Sequence, residues 1–433
     1  MSVSDTIVAL SSGATPSGVA VLRLSGPRTA EIIESLVGPL PPARVLTLRT
    51  LKLDAEVIDT GLVVWFPGPR SFTGEDCAEL HTHGSRAVVR RLLRECAALA
   101  GVRLAEPGEF TRRAFEHGKL DLTEVQGLGD LIQAETEQQR ALAHARLQGG
   151  LSRRIMGWRE RLLDLRATIE AQIDFAEEGD VGALPAEFMR DVAALRHDIA
   201  LVLAGRERGR IVRTGYRVVL AGPPNAGKSS LLNALSRSDA AIVSAEPGTT
   251  RDLKEVPLDL DGQLVILIDS AGLRTSTSVA ETLGVERARA AISSADLVLW
   301  LQAPDAPAEI ALPPAPRRAL VIGTKSDLTR SPHADVFVSS RTGEGIAELL
   351  TKITALAGES RVDAGQTLIS HEQDGVALQN ALNALDRVAD HLHVFELVAE
   401  DMRMASTALE RLLGGIGAEE LLGRVFAQFC IGK

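Results

Sequence analysis

A nine-residue stretch, Gly-Pro-Pro-Asn-Ala-Gly-Lys-Ser-Ser at residues 222–230, has the residue types and spacing of a phosphate-binding loop. It matches G-x-x-x-x-G-K-[ST], in which backbone N–H groups and a helix start face phosphate oxygens. A buried strand is predicted before it at 216–221, and an amphipathic helix after it at 231–235. This context disfavours the alternative, a glycine-rich turn with a solvated lysine. The residues predicted to contact nucleotide are Asn225, Ala226, Gly227, Lys228, Ser229 and Ser230.

Lys228 is predicted to reach the β- and γ-phosphates, and Ser229 to hold Mg²⁺. Two further stretches would complete the phosphate site. Thr250 lies in a Gly-Thr-Thr-Arg loop and is placed to reach Mg²⁺ and the γ-phosphate. A strand at 264–268 ends at Asp269, which would orient the Mg²⁺ shell. The residues of these stretches predicted to contact nucleotide are Gly248, Thr249, Thr250, Asp269, Ser270, Ala271 and Gly272.

A strand at 319–323 leads into Thr324-Lys325-Ser326-Asp327, a sequence that favours guanine recognition. The Asp327 carboxylate can accept two N–H bonds from guanine N1 and N2, which adenine cannot offer. Residues predicted to support the base with this loop are Thr324, Lys325, Ser339, Ser340 and Arg341. These stretches follow one another at strand ends in the order that a GTPase requires, which predicts a GTP-hydrolysing domain.

Three positions depart from the usual GTPase lettering. Ser270 replaces threonine, which is a mild change. Thr324 replaces asparagine and keeps one hydroxyl, so we expect weaker guanine affinity or a less rigid loop. Leu273 occupies the position of the water-orienting glutamine. Either this domain therefore hydrolyses GTP slowly, or the missing group comes from elsewhere.

Composition limits the other functions of the chain. Its 433 residues predict two or three domains. A net charge of −10 disfavours a general nucleic-acid coat, and 3% aromatic residues disfavour base stacking as the main activity. Two arginine clusters, at 153–166 and 206–213, are interpreted as solvated helix faces rather than a basic binding patch.

The chain is expected to be cytoplasmic. Its three cysteines have neither metal-binding nor redox spacing, which favours a reducing compartment. The N-terminal residues lack the pattern of a signal peptide. The sequence contains no run of 18 apolar residues, so no membrane span is predicted.

The changes in hydrophobic periodicity along the sequence predict a multidomain fold that combines α/β and all-α parts. Residues 1–117 mix strands, such as 62–66, with helices. Residues 118–212 and 357–433 have helical periodicity, including a stripe formed by Ile155, Trp158, Leu162, Leu165 and Ile169. Strands and helices alternate at 213–356. We therefore predict a P-loop, Ras-like G domain inserted into a helical domain whose two halves pack together.

The chain resembles the MnmE (TrmE) family of tRNA-modification GTPases over essentially its whole length. Besides the nucleotide motifs, the resemblance rests on Asp-Thr-Ile-Val-Ala at 5–9, Val-Leu-Arg-Leu-Ser-Gly at 21–26, Phe-Thr-Gly-Glu-Asp at 72–76, Pro-Gly-Glu-Phe-Thr-Arg-Arg-Ala-Phe at 107–115, Gly-Lys-Leu-Asp-Leu-Thr-Glu at 118–124, and Phe-Cys-Ile-Gly-Lys at 429–433.

The resemblance implies a GTPase that is activated by K⁺ and by pairing of G domains. Asn225 matches the K⁺-binding asparagine, and the loop Ser244, Ala245, Glu246, Pro247, Gly248 and Thr249 matches the segment that contacts nucleotide and completes the K⁺ shell. The implied K⁺ ligands are Asn225, Ser244, Glu246 and Thr249. The implied catalytic residues are Glu281, which positions water indirectly, together with Lys228 and Thr250. Without the resemblance, Glu281 would be interpreted as a solvated helix residue.

The same resemblance implies that the N-terminal domain binds folate and dimerises the protein. Arg23, Glu79, Lys119 and Lys433 match residues that contact 5-formyl- or 5,10-methylene-tetrahydrofolate. Taken alone, Arg23 and Glu79 would be interpreted as ordinary surface or ion-pair residues. His81 and His83 have the spacing of a metal pair on a strand, but the sequence shows no third ligand, so ordinary histidines are favoured. Cys430 is either a nucleophile beside the folate or a structural residue.

The resemblance implies a complete activity. With an FAD-dependent partner of the MnmG (GidA) type, in a heterotetramer of two plus two chains, the protein would use a folate one-carbon unit. It would add an aminomethyl or carboxymethylaminomethyl group to C5 of the wobble uridine, position 34, of certain tRNAs. One alternative is a GTP-dependent assembly or regulatory switch without modification chemistry. Another, suggested by Thr324, is a GTPase that only binds nucleotide.

Overall fold

The computed structural model describes residues 5–53, 55–174, 184–242, 255–269, 290–305, 318–329, 333–359, 368–415, 419–427 and 429–433. The chain divides into two compact units. The first unit is Met1–Gly129 with Thr407–Lys433, and the second unit is Asp130–Ser406. Within the described ranges, no helix has the length and apolar character needed to cross a membrane.

The first unit contains a six-stranded sheet covered by helices. Its strands are β1 (Thr6–Leu10), β2 (Ser17–Ser25), β3 (Thr47–Leu53), β4 (Glu56–Phe66), β5 (Cys77–Gly84) and β6 (Val102–Leu104). Its first three helices are α1 (Thr29–Val37), α2 (Arg86–Ala97) and α3 (Glu109–Glu116). The strand order is β3-β4-β5-β2-β1-β6, and only the β1–β6 pair among the described pairs of this sheet is parallel.

Alternation along the strands of this sheet directs every second side chain into the core. Leu22 and Leu24 on β2 and Leu80 on β5 are buried, and they belong to one cluster with Ile33 of α1 and Leu92 of α2. Burial also raises the pKa of the Cys96 thiol to about 12, so that side chain packs as an apolar group. Strand β4 begins six residues before the strand predicted at 62–66.

In the sequence of the second unit, helices come before and after the strands of its sheet. Helix α4 (Leu122–Gln133) carries the chain into this unit, followed by α5 (Glu137–Leu147), α6 (Gly150–Asp174), α7 (Glu187–Ala204) and α8 (Arg206–Thr214). The five predicted stripe residues of α6, from Ile155 to Ile169, are all buried, which confirms that they serve packing.

The sheet of the second unit follows α8 directly. Its elements are β7 (Tyr216–Ala221), α9 (Lys228–Leu235), β8 (Glu255–Leu260), β9 (Gln263–Asp269), β10 (Leu297–Gln302), β11 (Ala319–Gly323), β12 (Val336–Phe337) and α10 (Ile346–Gly358). The order is β12-β11-β10-β7-β9-β8, with β8 antiparallel to β9 and the other pairs parallel. The carboxyl ends of the parallel strands therefore meet at one edge, where ligands bind in such sheets.

Three helices follow the sheet in the sequence: α11 (Glu372–His391), which belongs to the second unit, α12 (Phe395–Leu412), which begins in the second unit, and α13 (Glu419–Ala427), which belongs to the first unit. Two ion-pair clusters join segments from before and after the sheet. Arg146 is fully buried and bonds Asp374 at 2.8 Å. Asp130 bonds Arg213 at 2.8 Å and His371 at 2.9 Å. A buried charge is costly unless it is paired, so the Arg146–Asp374 contact satisfies both charges where the helical segments meet within the second unit.

Candidate nucleotide and folate sites

The predicted phosphate loop joins β7 to α9 at the carboxyl edge of the parallel sheet. Gly222, Asn225 and Gly227 all have positive φ angles, at 144°, 63° and 89°. Only glycine fits at Gly222, because an added Cβ would lie 2.5 Å from the Leu301 carbonyl oxygen. This backbone curls the loop around a space in front of the α9 N-terminus, which is a favourable position for an anion.

The Lys228 side chain closes this loop from inside. Lys228 is only 9% exposed, and its ammonium donates to the carbonyl oxygens of Gly222 at 2.9 Å and Pro223 at 2.8 Å. A buried ammonium whose neighbours include neutral carbonyl oxygens is well suited to exchange those bonds for phosphate oxygens. The geometry therefore supports the predicted role of Lys228 in phosphate binding.

Ser229 and Asp269 meet at the same sheet edge. Because β7 and β9 are parallel neighbours, the last residue of β9, Asp269, lies beside the loop that follows β7. The Ser229 hydroxyl donates to Asp269 Oδ2 at 2.6 Å, and Asp269 is fully buried. Hydroxyl and carboxylate oxygens are the ligands that Mg²⁺ prefers, so this pair fits the predicted magnesium site.

The predicted guanine-binding carboxylate is held by two side chains. Ser339 donates its hydroxyl to Asp327 Oδ1 at 2.7 Å, and Arg341 Nε lies 3.3 Å from Oδ2. The Ser339 hydrogen bond is the largest cause of an Asp327 pKa below its ordinary value, and the Arg341 charge adds to it. Asp327 is therefore ionised at neutral pH and can accept both N–H groups of guanine.

The other residues of this loop bond within the protein. Thr324 donates its hydroxyl to the Ala226 carbonyl oxygen at 2.8 Å. Lys325 forms an ion pair with Asp305 at 2.6 Å. Sequence reasoning missed Asp305, since it lies outside every motif and only the end of the neighbouring strand β10 places it here. Ser340 is partly buried in the loop after β12.

Much of the predicted switch machinery lies outside the described residues. This applies to Leu273 and to the predicted site residues Ser244, Ala245, Glu246, Pro247, Gly248, Thr249, Thr250, Ser270, Ala271, Gly272 and Glu281.

In the first unit, strand register brings Arg23 and Glu79 together. Arg23 on β2 is directly opposite Glu79 on β5, and Arg23 Nη2 donates to Glu79 Oε1 at 2.8 Å. The Arg23 guanidinium carbon lies 5.5 Å from the centre of the Phe72 ring and 5.8 Å from that of Phe110. Sequence reasoning placed both phenylalanines in family motifs but did not assign them to a site.

The Glu79 carboxylate is shared between two partners. Its second oxygen, Oε2, lies 3.1 Å from His81 Nε2. Burial raises the pKa of this carboxyl, but the Arg23 charge and the bonds to His81 and Arg23 outweigh it, so the pKa lies below the ordinary value. The site therefore presents an ionised acceptor beside a cation and two aromatic rings.

A buried ion network lies within the family motifs of the first unit. Arg113 bonds Glu75 at 2.9 Å and Glu109 at 3.1 Å, while Glu109 also bonds Arg103 at 2.6 Å. Ser25, two residues after Arg23, donates to Glu75 at 2.7 Å. These motif residues therefore hold strand β2 and helix α3 in position.

The C-terminal tail packs in the first unit beside the end of β1. Ser11 donates to the Gly432 carbonyl oxygen at 2.6 Å, and Gly432 approaches Leu10 so closely that an added Cβ would lie 2.1 Å from the Leu10 oxygen. Lys433 is partly buried. Lys119 is exposed just after α3, and Cys430 is exposed.

His81 and His83 are held by different carboxylates. His83 Nδ1 lies 2.8 Å from Asp59 Oδ1, whereas His81 bonds Glu79. Among the residues with a described placement, no group of three His, Cys, Asp or Glu residues is arranged to hold a metal ion. In the described part of the chain, each of the two histidines is therefore a hydrogen-bond partner of a carboxylate.

Family models and full-length relatives match almost every part of the chain. A family model for the GTP-binding protein TrmE N-terminus matches residues 6–119, and one for the MnmE helical domain matches residues 122–430. The tRNA modification GTPase MnmE of Sinorhizobium medicae is 47% identical over 443 residues and is covered completely, as is this chain. That of Rhizobium etli is 48% identical, with 100% of this chain and 99% of the relative covered.

Solved structures align with part of the chain. The G domain of the T. maritima FeoB iron transporter is 30% identical, covers 33% of this chain and 98% of its own, and has a TM-score of 0.24. Era from Aquifex aeolicus is 23% identical, covers 32% of this chain and 56% of its own, and has a TM-score of 0.24.

The family models and the full-length relatives confirm the predicted resemblance. They also confirm the predicted combination of an N-terminal α/β part, a helical part and a P-loop part. The chain belongs to the MnmE (TrmE) family of tRNA modification GTPases.

Proposed function

We propose that this chain hydrolyses GTP to drive modification of C5 of the wobble uridine in certain tRNAs. With an FAD-dependent partner, it would add an aminomethyl or carboxymethylaminomethyl group built on a folate one-carbon unit. The proposal rests chiefly on relatives, each named a tRNA modification GTPase, that are 47 to 48% identical over the whole chain. GTP hydrolysis would take place at the nucleotide site, and the folate that carries the one-carbon unit would bind at the Arg23–Glu79 site.

In the nucleotide site, Lys228 would transfer its hydrogen bonds from the loop carbonyls to the β- and γ-phosphate oxygens. Ser229 and Thr250 would ligate Mg²⁺, with Asp269 holding Ser229 in position. Bound there, Mg²⁺ supplies positive charge to the phosphates as negative charge develops on them. Asp327 would select guanine over adenine through the N1 and N2 protons.

Leu273 cannot orient water, so a different group must compensate. Asn225 lies exposed on the phosphate loop with a left-handed backbone, and it would offer its amide oxygen to K⁺ together with Ser244, Glu246 and Thr249. Glu281 would position water indirectly. Pairing of two G domains in a homodimer would complete this site, and hydrolysis would open and close the pair.

In the N-terminal unit, Glu79 would accept the N–H groups of a pterin ring, and the exposed Phe72 ring would contact one of its flat faces. Arg23 keeps Glu79 ionised, while Lys119 and Lys433 would neutralise the glutamate tail of the folate. The carboxylate, aromatic and cationic groups present fit a formyl- or methylene-tetrahydrofolate.

Mass analysis of wobble nucleosides tests the proposal. Cells lacking this protein should lose the C5-modified uridines, wild type should restore them, and Lys228→Ala and Arg23→Ala should each fail to restore them. Normal nucleosides in the deletion strain would contradict the proposal and favour a GTP-dependent assembly or regulatory switch. If the deletion strain lost the modified uridines and Arg23→Ala restored them, the folate role of Arg23 would be contradicted, and the rest of the proposal would stand.

A further inference from the structure

Thr324 occupies the position where asparagine is usual in the guanine-binding motif, and its hydroxyl is already committed. Residue 324 is only 4% exposed. Its Oγ1 lies 2.8 Å from the Ala226 carbonyl oxygen and 3.1 Å from that of Gln302. Gln302 already accepts the Thr324 amide N–H at 2.8 Å. A hydroxyl has one hydrogen, so the shorter contact, to Ala226, receives it.

This bond ties the base-binding loop to the phosphate loop. Ala226 lies two residues before Lys228 and is fully buried. An added Cβ at the intervening Gly227 would lie 3.8 Å from the Thr324 side chain, so the two loops are in van der Waals reach. Thr324 therefore lies between the residues that hold phosphate and Asp327, which holds the N1 and N2 edge of the base.

The neighbouring polar side chains in this motif also bond to the protein. The Lys325 ammonium is paired with both oxygens of Asp305, at 2.8 and 2.6 Å. The Ser326 hydroxyl donates to Glu344 at 3.1 Å. Guanine also has an acceptor edge, formed by N7 and O6. The Lys325 and Ser326 side chains could donate to this edge only if they gave up their bonds to Asp305 and Glu344.

We propose that this chain recognises guanine through Asp327 without a side-chain donor to N7 from position 324. This inference rests on the proposed GTP-dependent function. An asparagine would have two amide hydrogens, one for the Ala226 carbonyl and one for N7. Threonine keeps the bond to the Ala226 carbonyl but has no second hydrogen for N7. Thr324 is therefore a positioning residue for the phosphate loop and makes no hydrogen bond to N7.

Nucleotide affinity measured by calorimetry tests this, with GDP, 7-deaza-GDP and ADP as ligands in the presence of Mg²⁺. The 7-deaza base replaces N7 with a C–H group and keeps the N1 and N2 edge. Wild type should bind GDP and 7-deaza-GDP with affinities within about twofold of each other. Thr324→Asn should bind 7-deaza-GDP about 3- to 10-fold more weakly than GDP, since it gains one neutral hydrogen bond to N7.

Two further variants separate positioning from base recognition. Thr324→Val removes the bond to Ala226 and should weaken GDP and 7-deaza-GDP equally, by about 3- to 10-fold. Thr324→Ser keeps the hydroxyl and should behave as wild type. An unchanged Thr324→Val affinity would overturn the positioning role.

Wild type alone decides the main claim, even if a variant does not fold. A wild-type loss of more than about fivefold for 7-deaza-GDP, with GDP still preferred over ADP, would overturn this inference and leave the proposed function intact. Failure to bind GDP, or equal binding of ADP, would instead contradict the proposed function.

Discussion

The nucleotide site and the Arg23–Glu79 site are built in different ways. The candidate nucleotide site centres on one contiguous loop, whose backbone curl and following helix start would face the phosphates. The Arg23–Glu79 site takes side chains from β2, β5, α3 and the loop containing Phe72. A main-chain site has a sequence signature because glycine and lysine spacing specify it, whereas a side-chain site depends on strand register.

The largest expected effect separates the two sites. Lys228→Ala should lower GTP turnover by about 100-fold or more, because the phosphates lose a buried cation at the point where charge develops. Folate binding should not change. Steady-state phosphate release measures the effect, with Lys352→Ala, a lysine on the surface of α10, as the matched control. Equal losses in both variants would contradict the assigned role of Lys228.

Arg23→Ala should weaken binding of 5-formyl-tetrahydrofolate by about 10- to 100-fold, since Glu79 loses the cation that orients it. GTP turnover should remain at the wild-type level. Titration calorimetry of the full chain measures this, with Arg94→Ala as control because Arg94 is exposed on α2 and pairs with Glu95. If wild type showed no saturable binding, the contrast between two ligand sites would fail.

GTP turnover should be stimulated about 10-fold or more by KCl relative to NaCl, because the cation stabilises charge between the phosphates. Asn225→Lys should remove the difference between the salts, since an ammonium would take the place of K⁺. Glu281→Ala should also lose the stimulation. Asn233→Lys, on the exposed face of α9, should keep it. Equal wild-type rates in the two salts would remove the K⁺ assignment.

The smallest effect concerns stability of the N-terminal unit. Burial raises the pKa of Glu109, but bonds from Arg103 and the Glu106 amide and the nearby arginine charges lower it to about 2. A folded pKa below the unfolded value of 4.5 stabilises the fold above pH 4.5, and this stabilisation is lost as pH falls through about 2. Solvent screening reduces this contribution, so Glu109→Gln should lower the unfolding free energy by about 1 kcal/mol at pH 7 and by little near pH 2.

Amide hydrogen exchange in β1 and β6 measures this local effect at each pH. Glu56→Gln, which breaks an exposed ion pair with Arg91, should leave exchange unchanged throughout. A Glu109→Gln effect that did not shrink on acidification would contradict the role of the Glu109 charge.

Several elements were predictable because local physics decides them. The period of α6 placed its five apolar residues on one buried face, and the glycine spacing at 222–230 predicted the loop between β7 and α9. Strand β3 and the first half of β4 were not predicted. Their polar and exposed residues are supported by hydrogen bonds to neighbouring strands, which local hydrophobicity does not report.

Contiguous residues alone were enough to predict the phosphate loop, the role proposed for Asp327 in guanine selection, and the family, because each of these depends on local motifs. Tertiary structure alone decided which partners those residues have. Parallel pairing of β7 with β9 brings Asp269 to Ser229, and antiparallel pairing of β2 with β5 brings Arg23 to Glu79. It also directs the Thr324 hydroxyl to Ala226, 98 residues away. Hydrogen bonds over such separations exist only once the sheets have formed, so no local pattern could specify them.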